Sequence, residues 1–303
     1  MDVAVTGSTG LIGTALCRQL EADGHAVIRV VRRPVAPGES AIRWDPAAGT
    51  IDAASLEGVG AVVHLAGAGI GDKRWTAERK REILESRTKS TALLATTLAG
   101  LDRKPDVLVS GSAIGFYGDR GDEVVTEQSP PGGDFLAEIC TAWEAEASPA
   151  VDAGIRVTTI RSGIVLSAGG GALAKMLPLF KLGAGGKFGS GRQWWSWISL
   201  DDEVGAIRHL LDHPVSGPVN LTAPNPDTNA RFTKVLGRVM GRPSFLAVPR
   251  FGPKLLVGGE LAEALLFTSA RVLPAVLESS GFTFAHPDLE SALRRLLGKE
   301  QAA

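Results

Sequence analysis

Apolar and polar positions along this chain follow two rhythms that alternate. Short apolar runs at Val3 to Val5, His25 to Val31, Gly60 to Ala66, Asp106 to Ser112 and Ile155 to Ile160 read as strands of a buried parallel sheet. Between them, apolar residues recur at near-helical spacing. Leu11, Ile12, Leu16 and Leu20 mark a first helix that ends near Asp23-Gly24. A second helix, charged and then apolar, covers Asp72 to Leu98, and a third runs from Asp134 to Ala153 before Gly154. Residues 41–58 predict a short edge segment and a weak helix. This alternation predicts an α/β fold, a doubly wound parallel sheet with right-handed crossovers.

After Arg161 the texture changes. Glycine-rich stretches at 169–171 and 183–191 bracket an apolar helix, Ala172 to Leu182, a pattern that suits a mobile lid as well as ordinary surface loops. The tryptophans of Gln193-Trp-Trp-Ser-Trp197 read as packing residues. Asp201-Asp202 cap a helix to about Leu211, Gly217 to Leu221 forms a last strand, and amphipathic helices fill the remainder from Thr228. A Pro/Gly linker is expected near 249–253 and a final helix over Asp288 to Leu297.

The chemistry starts at the first strand. Val3-Ala-Val-Thr is followed by Gly7-Ser8-Thr9-Gly10-Leu11-Ile12-Gly13 and the first helix, the opening of a dinucleotide-binding βαβ unit. Gly7 permits the tight turn, Gly10 lets backbone approach a pyrophosphate, and Gly13 lets helix pack on strand. The helix N-terminus offers N–H groups to the phosphates, and Ser8 and Thr9 can add hydroxyls. The fourth strand ends at Leu65, Ala66 and Gly67, where small residues let a cofactor lie close to the backbone. His64, inside that strand, reads as a core histidine.

The residues just past the second strand select the nucleotide. An acidic residue there would hold the ribose hydroxyls of NAD, but the strand runs into Arg32-Arg33-Pro34. A guanidinium suits the 2′-phosphate of NADP, so NADP is expected over NAD. Arg161, at the end of the sixth strand, joins this expected cofactor set. The charges of Asp72 to Leu98 read mainly as a solvated helix face, with Lys73, Arg74 and Trp75 near enough to the strand end to reach the cleft.

Composition narrows the rest. The 303 residues carry 32 basic and 33 acidic side chains, a balance that argues against general nucleic-acid or acidic-membrane binding. Two cysteines, Cys17 and Cys140, show no metal spacing, so no metal site is expected and a reducing compartment fits. No apolar run approaches the ~20 residues that span a bilayer. With a strand starting at residue 2 and no leader ahead of it, a cytoplasmic location is expected.

The segments TGSTGLIG at 6–13, HLAG at 64–67, SGSAIGFYG at 110–118, GSGRQWWSWISLDDEV at 189–204 and GPVNLTAP at 217–224 occur in that order. With them the chain resembles an extended short-chain dehydrogenase/reductase of the NAD(P)-dependent epimerase/dehydratase branch. More narrowly, it is similar to atypical epimerase-family proteins with an uncharacterised C-terminal domain. The resemblance implies a Rossmann-type domain over 1–165, completed by 198–224, with bound NADP. It implies a smaller, mainly helical substrate-binding region over 166–197 and 225–303, and a homodimer by analogy.

The resemblance also exposes a departure. Catalysis in the superfamily rests on a serine and a Tyr-x-x-x-Lys pair. Ser112 fits the serine position. The single tyrosine, Tyr117, has Gly121 four residues on, and the helix that should carry the pair offers Leu136 and Cys140 instead. Ser112 and Tyr117 are the candidate catalytic groups, with Glu138 and Cys140 behind them. Two functions stay open: an atypical NADP-dependent oxidoreductase or epimerase acting on a small carbonyl, hydroxyl or nucleotide-linked substrate, or a non-catalytic NADP-responsive binding protein.

Overall fold

The computed structural model describes residues 1–299. Strand β1, Asp2–Thr6, buries Val3, Ala4 and Val5 completely, since helices cover both faces of the sheet it joins. Helix α1, Leu11–Ala22, turns Leu16, Cys17 and Leu20 inward at helical spacing. Strands β2, Ala26–Val31, and β3, Ala41–Asp45, continue the sheet, and β4, Thr50–Ile51, folds back on β3 as an antiparallel hairpin. The weak helix expected near here is one 3-10 turn, Ala54–Leu56.

Strand β5, Ala61–His64, helix α2, Ala77–Ala99, and strand β6, Val107–Ala113, come next. After the two-residue β7, Val124–Val125, the long helix expected over 134–153 is two helices, α3, Phe135–Ala145, and α4, Ser148–Asp152. Pro149 explains the break. It cannot donate in a helix interior but suits the first turn of a new one. Strand β8, Arg156–Ser162, completes the first half.

The second half begins with β9, Ile164–Leu166, helix α5, Gly171–Lys181, and β10, Gly186–Phe188. Short strands β11, Trp194–Trp195, and β12, Trp197–Ser199, lead into helix α6, Leu200–Asp212, and strand β13, Gly217–Leu221. Then come β14, Asp227–Thr228, α7, Asn229–Met240, β15, Leu246–Val248, α8, Phe251–Val257, and α9, Gly259–Ala262. The linker expected at 249–253 thus runs into a short helix. Strand β16, Arg271–Val272, and helices α10, Ala275–Ser279, and α11, Leu289–Leu296, end the described chain.

The main sheet has the order β13-β8-β6-β5-β1-β2-β3-β4 and is parallel except at β4. After β3 the chain crosses back to place β5 on the other side of β1. That reversal opens a crevice at the carboxyl ends of β1 and β5, the usual ligand position in such sheets. Leu16, Leu20, Ile207 and Leu210 of α1 and α6 pack one sheet face, and Leu94 and Leu98 of α2 pack the other. A separate core, with Phe180, Trp195, Trp197 and Phe232, holds the C-terminal region, so these two tryptophans are packing residues. Among the described residues no helix is long and apolar enough to cross a membrane.

Candidate functional site

A cleft of about 400 Å³ opens at the topological reversal, walled by Gly7, Gly10 to Gly13, Leu65, Gly111, Ser112, Trp143, Ser162 and the N-terminal end of α5. Its floor depends on two glycines. Gly7 has φ +65°, and a Cβ there would stand 2.7 Å from the Leu65 carbonyl group; a Cβ on Gly13 would overlap the Gly7 carbonyl oxygen. Gly10 caps α1 without a side-chain hydrogen bond, so the first N–H groups of that helix are left for an anion in the cleft.

A buried hydrogen-bond chain fastens the floor. Thr6 Oγ1 accepts from the N–H groups of Leu65 at 3.1 Å and Ala66 at 3.2 Å, and lies 2.7 Å from His64 Nδ1. His64 Nε2 faces Thr91 Oγ1 at 3.0 Å and Ser90 Oγ at 3.2 Å. Thr6 donates to Nδ1 in this arrangement, which assigns the proton of the neutral ring to Nε2. Burial, helped by the Arg87 charge, pushes His64 down to about 4. It is the core histidine the sequence implies.

Arg87 went unnoticed in the sequence. Its Nη1 donates to the carbonyls of Ala68 at 2.9 Å and Ile83 at 3.1 Å, and its guanidinium lies 5.0 Å from the ring centroid of Trp143 on the cleft wall. A Cβ on Gly67 would meet its Cζ at 3.2 Å, so the glycine admits the arginine.

The far wall carries two serines, each backed by a glutamate. Ser112 Oγ donates to Glu144 Oε1 at 2.6 Å. Arg161 Nε and Nη2 each donate to that carboxylate at 2.8 Å, and its Nη1 donates to Tyr117 Oη at 3.0 Å. The Tyr117 hydroxyl in turn donates to Asn220 Oδ1 at 2.6 Å. One strand over, Ser162 Oγ lies 2.6 Å from Glu203 Oε1, with no cation paired to that carboxyl among the described residues. Burial pushes Glu203 up to about 8.

The expected site residues therefore separate. Gly7, Gly10, Leu11, Ile12, Gly13, Leu65 and Ser112 share the cleft wall, with Ser8 buried and Thr9 exposed in the turn. Tyr117, expected to carry a proton, has no exposed surface and spends its hydroxyl on Asn220 and Arg161; burial raises its pKa first, and the arginine opposes this. Arg161, expected to hold cofactor, is committed to Glu144 and stacks 3.4 Å from the Phe116 ring centroid. Arg33 is taken by Glu39 and the Pro34 carbonyl, whereas exposed Arg32 has no ion-pair or hydrogen-bond partner among the described residues. Cys140 is buried, which pushes its thiol up to about 11, and Glu138 is exposed. Arg74 donates to the Leu255 carbonyl, and Trp75 packs on Phe135, away from the cleft wall. Among the described residues no cluster of three or more His, Cys, Asp or Glu could hold a metal ion.

A doubly wound parallel sheet with an open, glycine-floored helix N-terminus at its reversal defines a dinucleotide-binding type of protein. Residues 3–222 match the NAD dependent epimerase/dehydratase family, and residues 248–296 match a domain of unknown function, DUF1731. The chain belongs to the NAD dependent epimerase/dehydratase family, one of NAD(P)-dependent, oxidoreductase-type enzymes, and to its epimerase-family-protein branch with the added C-terminal domain. It is 43% identical to "Epimerase family protein Mb2239" of Mycobacterium bovis over 96% of both chains. A crystal structure of human epimerase family protein SDR39U1 with NADPH superposes with a TM-score of 0.91 at 35% identity, covering 99% of this chain and 100% of that one. UDP-glucuronic acid 4-epimerase from Bacillus cereus, solved with NAD, shares the fold at a TM-score of 0.76 and 15% identity, over 99% of this chain and 98% of that one.

Proposed function

We propose that the chain is an NADP-dependent oxidoreductase or epimerase acting at a hydroxyl or carbonyl carbon of a small or nucleotide-linked substrate. The observation that carries this reading is the Ser112–Glu144 contact of 2.6 Å on the wall of the glycine-floored cleft. Ser112 Oγ takes the proton of a substrate hydroxyl as it passes its own proton to Glu144 Oε1; in the reverse direction both protons return. Arg161 fixes the Glu144 rotamer with its paired donors, and Tyr117 holds Arg161 rather than the substrate. Bound NADP supplies the hydride acceptor or donor. The backbone of Gly7 and Gly10 to Gly13 would hold its pyrophosphate, Ser8 and Thr9 would add hydroxyls, Leu65, Ala66 and Gly67 would flank it, and Arg32 would take the 2′-phosphate.

Support for NADP comes from the unengaged Arg32 and from the human relative solved with NADPH. In this reading residues 1–165 with 198–224 serve the cofactor, 166–197 with 225–303 shape the substrate pocket, and the enzyme works in the cytoplasm as a homodimer. Calorimetric titration tests the cofactor. NADPH should bind at least about tenfold tighter than NADH, and Arg32→Ala should remove the gap while Arg33→Ala preserves it. Equal affinities in the parent protein would refute the NADP assignment. Deuteride transfer from labelled NADPH to a panel of carbonyl compounds, read by mass spectrometry, tests the chemistry. It should vanish in Ser112→Ala and Glu144→Gln and survive in Tyr117→Phe. The missing Tyr-x-x-x-Lys pair favours one other reading, a non-catalytic NADP-responsive protein, and tight NADPH binding without transfer to any compound would select it.

A further inference from the structure

Large apolar side chains left in water are concentrated in one part of the molecule. Leu182, Phe245 and Leu256 are each more than four-fifths exposed, and Leu179, Phe251 and Leu255 more than half. All six lie at the C-terminal end of α5 or between residues 245 and 257. These segments adjoin. Strand β10, which follows α5, pairs in parallel with β15, and a Cβ on Gly183 would touch Pro243. Monomers rarely leave apolar patches larger than a few hundred Å² open, and larger ones mark contact sites.

Helix α8 is anchored in this exposed attitude. Its Pro253 is buried, and Arg74, from the loop after β5, donates to the Leu255 carbonyl at 2.8 Å. Glu263 pairs with both Arg250 and Lys254. The helix is thus held with its proline inward and Phe251, Leu255 and Leu256 outward, the reverse of the usual burial order.

The charge around the patch is one-sided. Residues 172–192 contain Lys175, Lys181, Lys187 and Arg192 and no acid, and residues 241–258 contain Arg242, Arg250 and Lys254 and no acid. The acids that follow are taken: Glu260 by Lys80, and Glu263 by two cations. Lys181, Lys187, Arg192 and Arg242 have no ion-pair partner among the described residues. The near-zero charge of the whole chain hides this local excess. A second copy docked about a two-fold axis would set the same cations against each other. Bulky apolar groups among unpaired cations fit instead a surface that is anionic outside and hydrocarbon beneath.

We propose that the face formed by residues 179–182 and 242–257 docks on an anionic lipid bilayer. Leu182, Phe245, Phe251, Leu255 and Leu256 enter the interface, and Lys181 and Arg242 meet headgroup phosphates. The chain lies on the bilayer and does not cross it. Helix α8 belongs to residues 248–296, which match the domain of unknown function, so membrane contact gives that domain a role. The inference stands apart from the cofactor reading above.

Co-sedimentation of the full chain with lipid vesicles tests this. Wild type should pellet with vesicles of phosphatidylcholine mixed with phosphatidylglycerol and stay in solution with phosphatidylcholine alone. High salt should weaken the binding. Phe251→Ser combined with Leu256→Ser should lower vesicle affinity at least about tenfold. Lys181→Gln and Arg242→Gln should each lower it about fivefold, the scale of one charge near an anionic surface. All four side chains are exposed, so the melting temperature should stay unchanged in every variant. No binding to the mixed vesicles, equal binding to both vesicle types, or undiminished binding by the Phe251→Ser, Leu256→Ser variant would overturn the inference. So would a dimer, seen by analytical ultracentrifugation, that this variant dissociates, because the face would then belong to a second copy.

Discussion

The two serine–glutamate pairs on the far wall have the same 2.6 Å separation and opposite surroundings. Glu144 meets a guanidinium through two parallel N–H donors, and that guanidinium is anchored by Tyr117 and Phe116. Glu203, fully buried, meets the Ser162 hydroxyl and no cation among the described residues. In both pairs the serine donates to the acid; the first acid is ion-paired with Arg161, and the second is a buried carboxyl with no cation beside it among the described residues, which pushes its pKa up. Identical contact distances therefore carry different chemistry, and the cation decides which.

The largest effect that can break this comparison comes from deleting each acid. Glu144→Leu leaves Arg161, 4% exposed, without its anion and should cost about 3–5 kcal/mol in urea denaturation. Glu203→Leu removes a carboxyl that prefers water and should be neutral or stabilising at pH 8. Equal losses would mean the two sites do not differ as described.

A second test uses pH. Glu203 has a folded value of about 8 against an ordinary 4.5, so between those values the unfolded chain has released a proton the folded one keeps. Stability therefore falls as pH rises from about 4.5 to about 8 and levels off beyond. His64 works in the opposite sense: folded at about 4 against 6.5, it holds full stability above 6.5 and loses it as pH falls toward 4. The difference in melting temperature between wild type and Glu203→Gln isolates the acid, and it should widen up to about pH 8. A constant difference across that range contradicts the neutral state of Glu203.

The smallest effect sharpens the role of the tyrosine. Tyr117→Phe leaves Asn220 Oδ1 without its donor and Arg161 Nη1 without its acceptor, which should cost about 1–3 kcal/mol. A full loss of NADPH-dependent turnover at retained fold would instead return Tyr117 to the proton path.

Much of the fold was legible because a parallel sheet buried on both faces writes itself as unbroken apolar runs. The glycine turn was legible because backbone contact admits no side chain. The acids were not. Glu144 reaches Ser112 across 32 positions and Glu203 reaches Ser162 across 41, and no local pattern reports such a meeting. Asp201, Asp202 and Glu203 look alike as first-turn acids, yet Glu203, Ile207 and Leu210 share one helical stripe, a period-3.6 signal that marks the glutamate as inward. Arg87 was hidden among charges that mostly are solvated. Tyr117 reads in the sequence as a loop aromatic beside Ser112, whereas its hydroxyl partners, Asn220 and Arg161, lie 103 and 44 positions away and leave no local pattern.

Trp143 gives the cleft an optical property. Its indole is part of the wall, whereas Trp195 and Trp197 are sealed in the C-terminal core. Reduced nicotinamides absorb where tryptophan emits, so a nucleotide lying against this wall would accept excitation from Trp143 by resonance transfer. Trp143→Phe would weaken that signal by removing the indole that lines the cleft. The protein thereby carries its own label for which oxidation state of the nucleotide it holds.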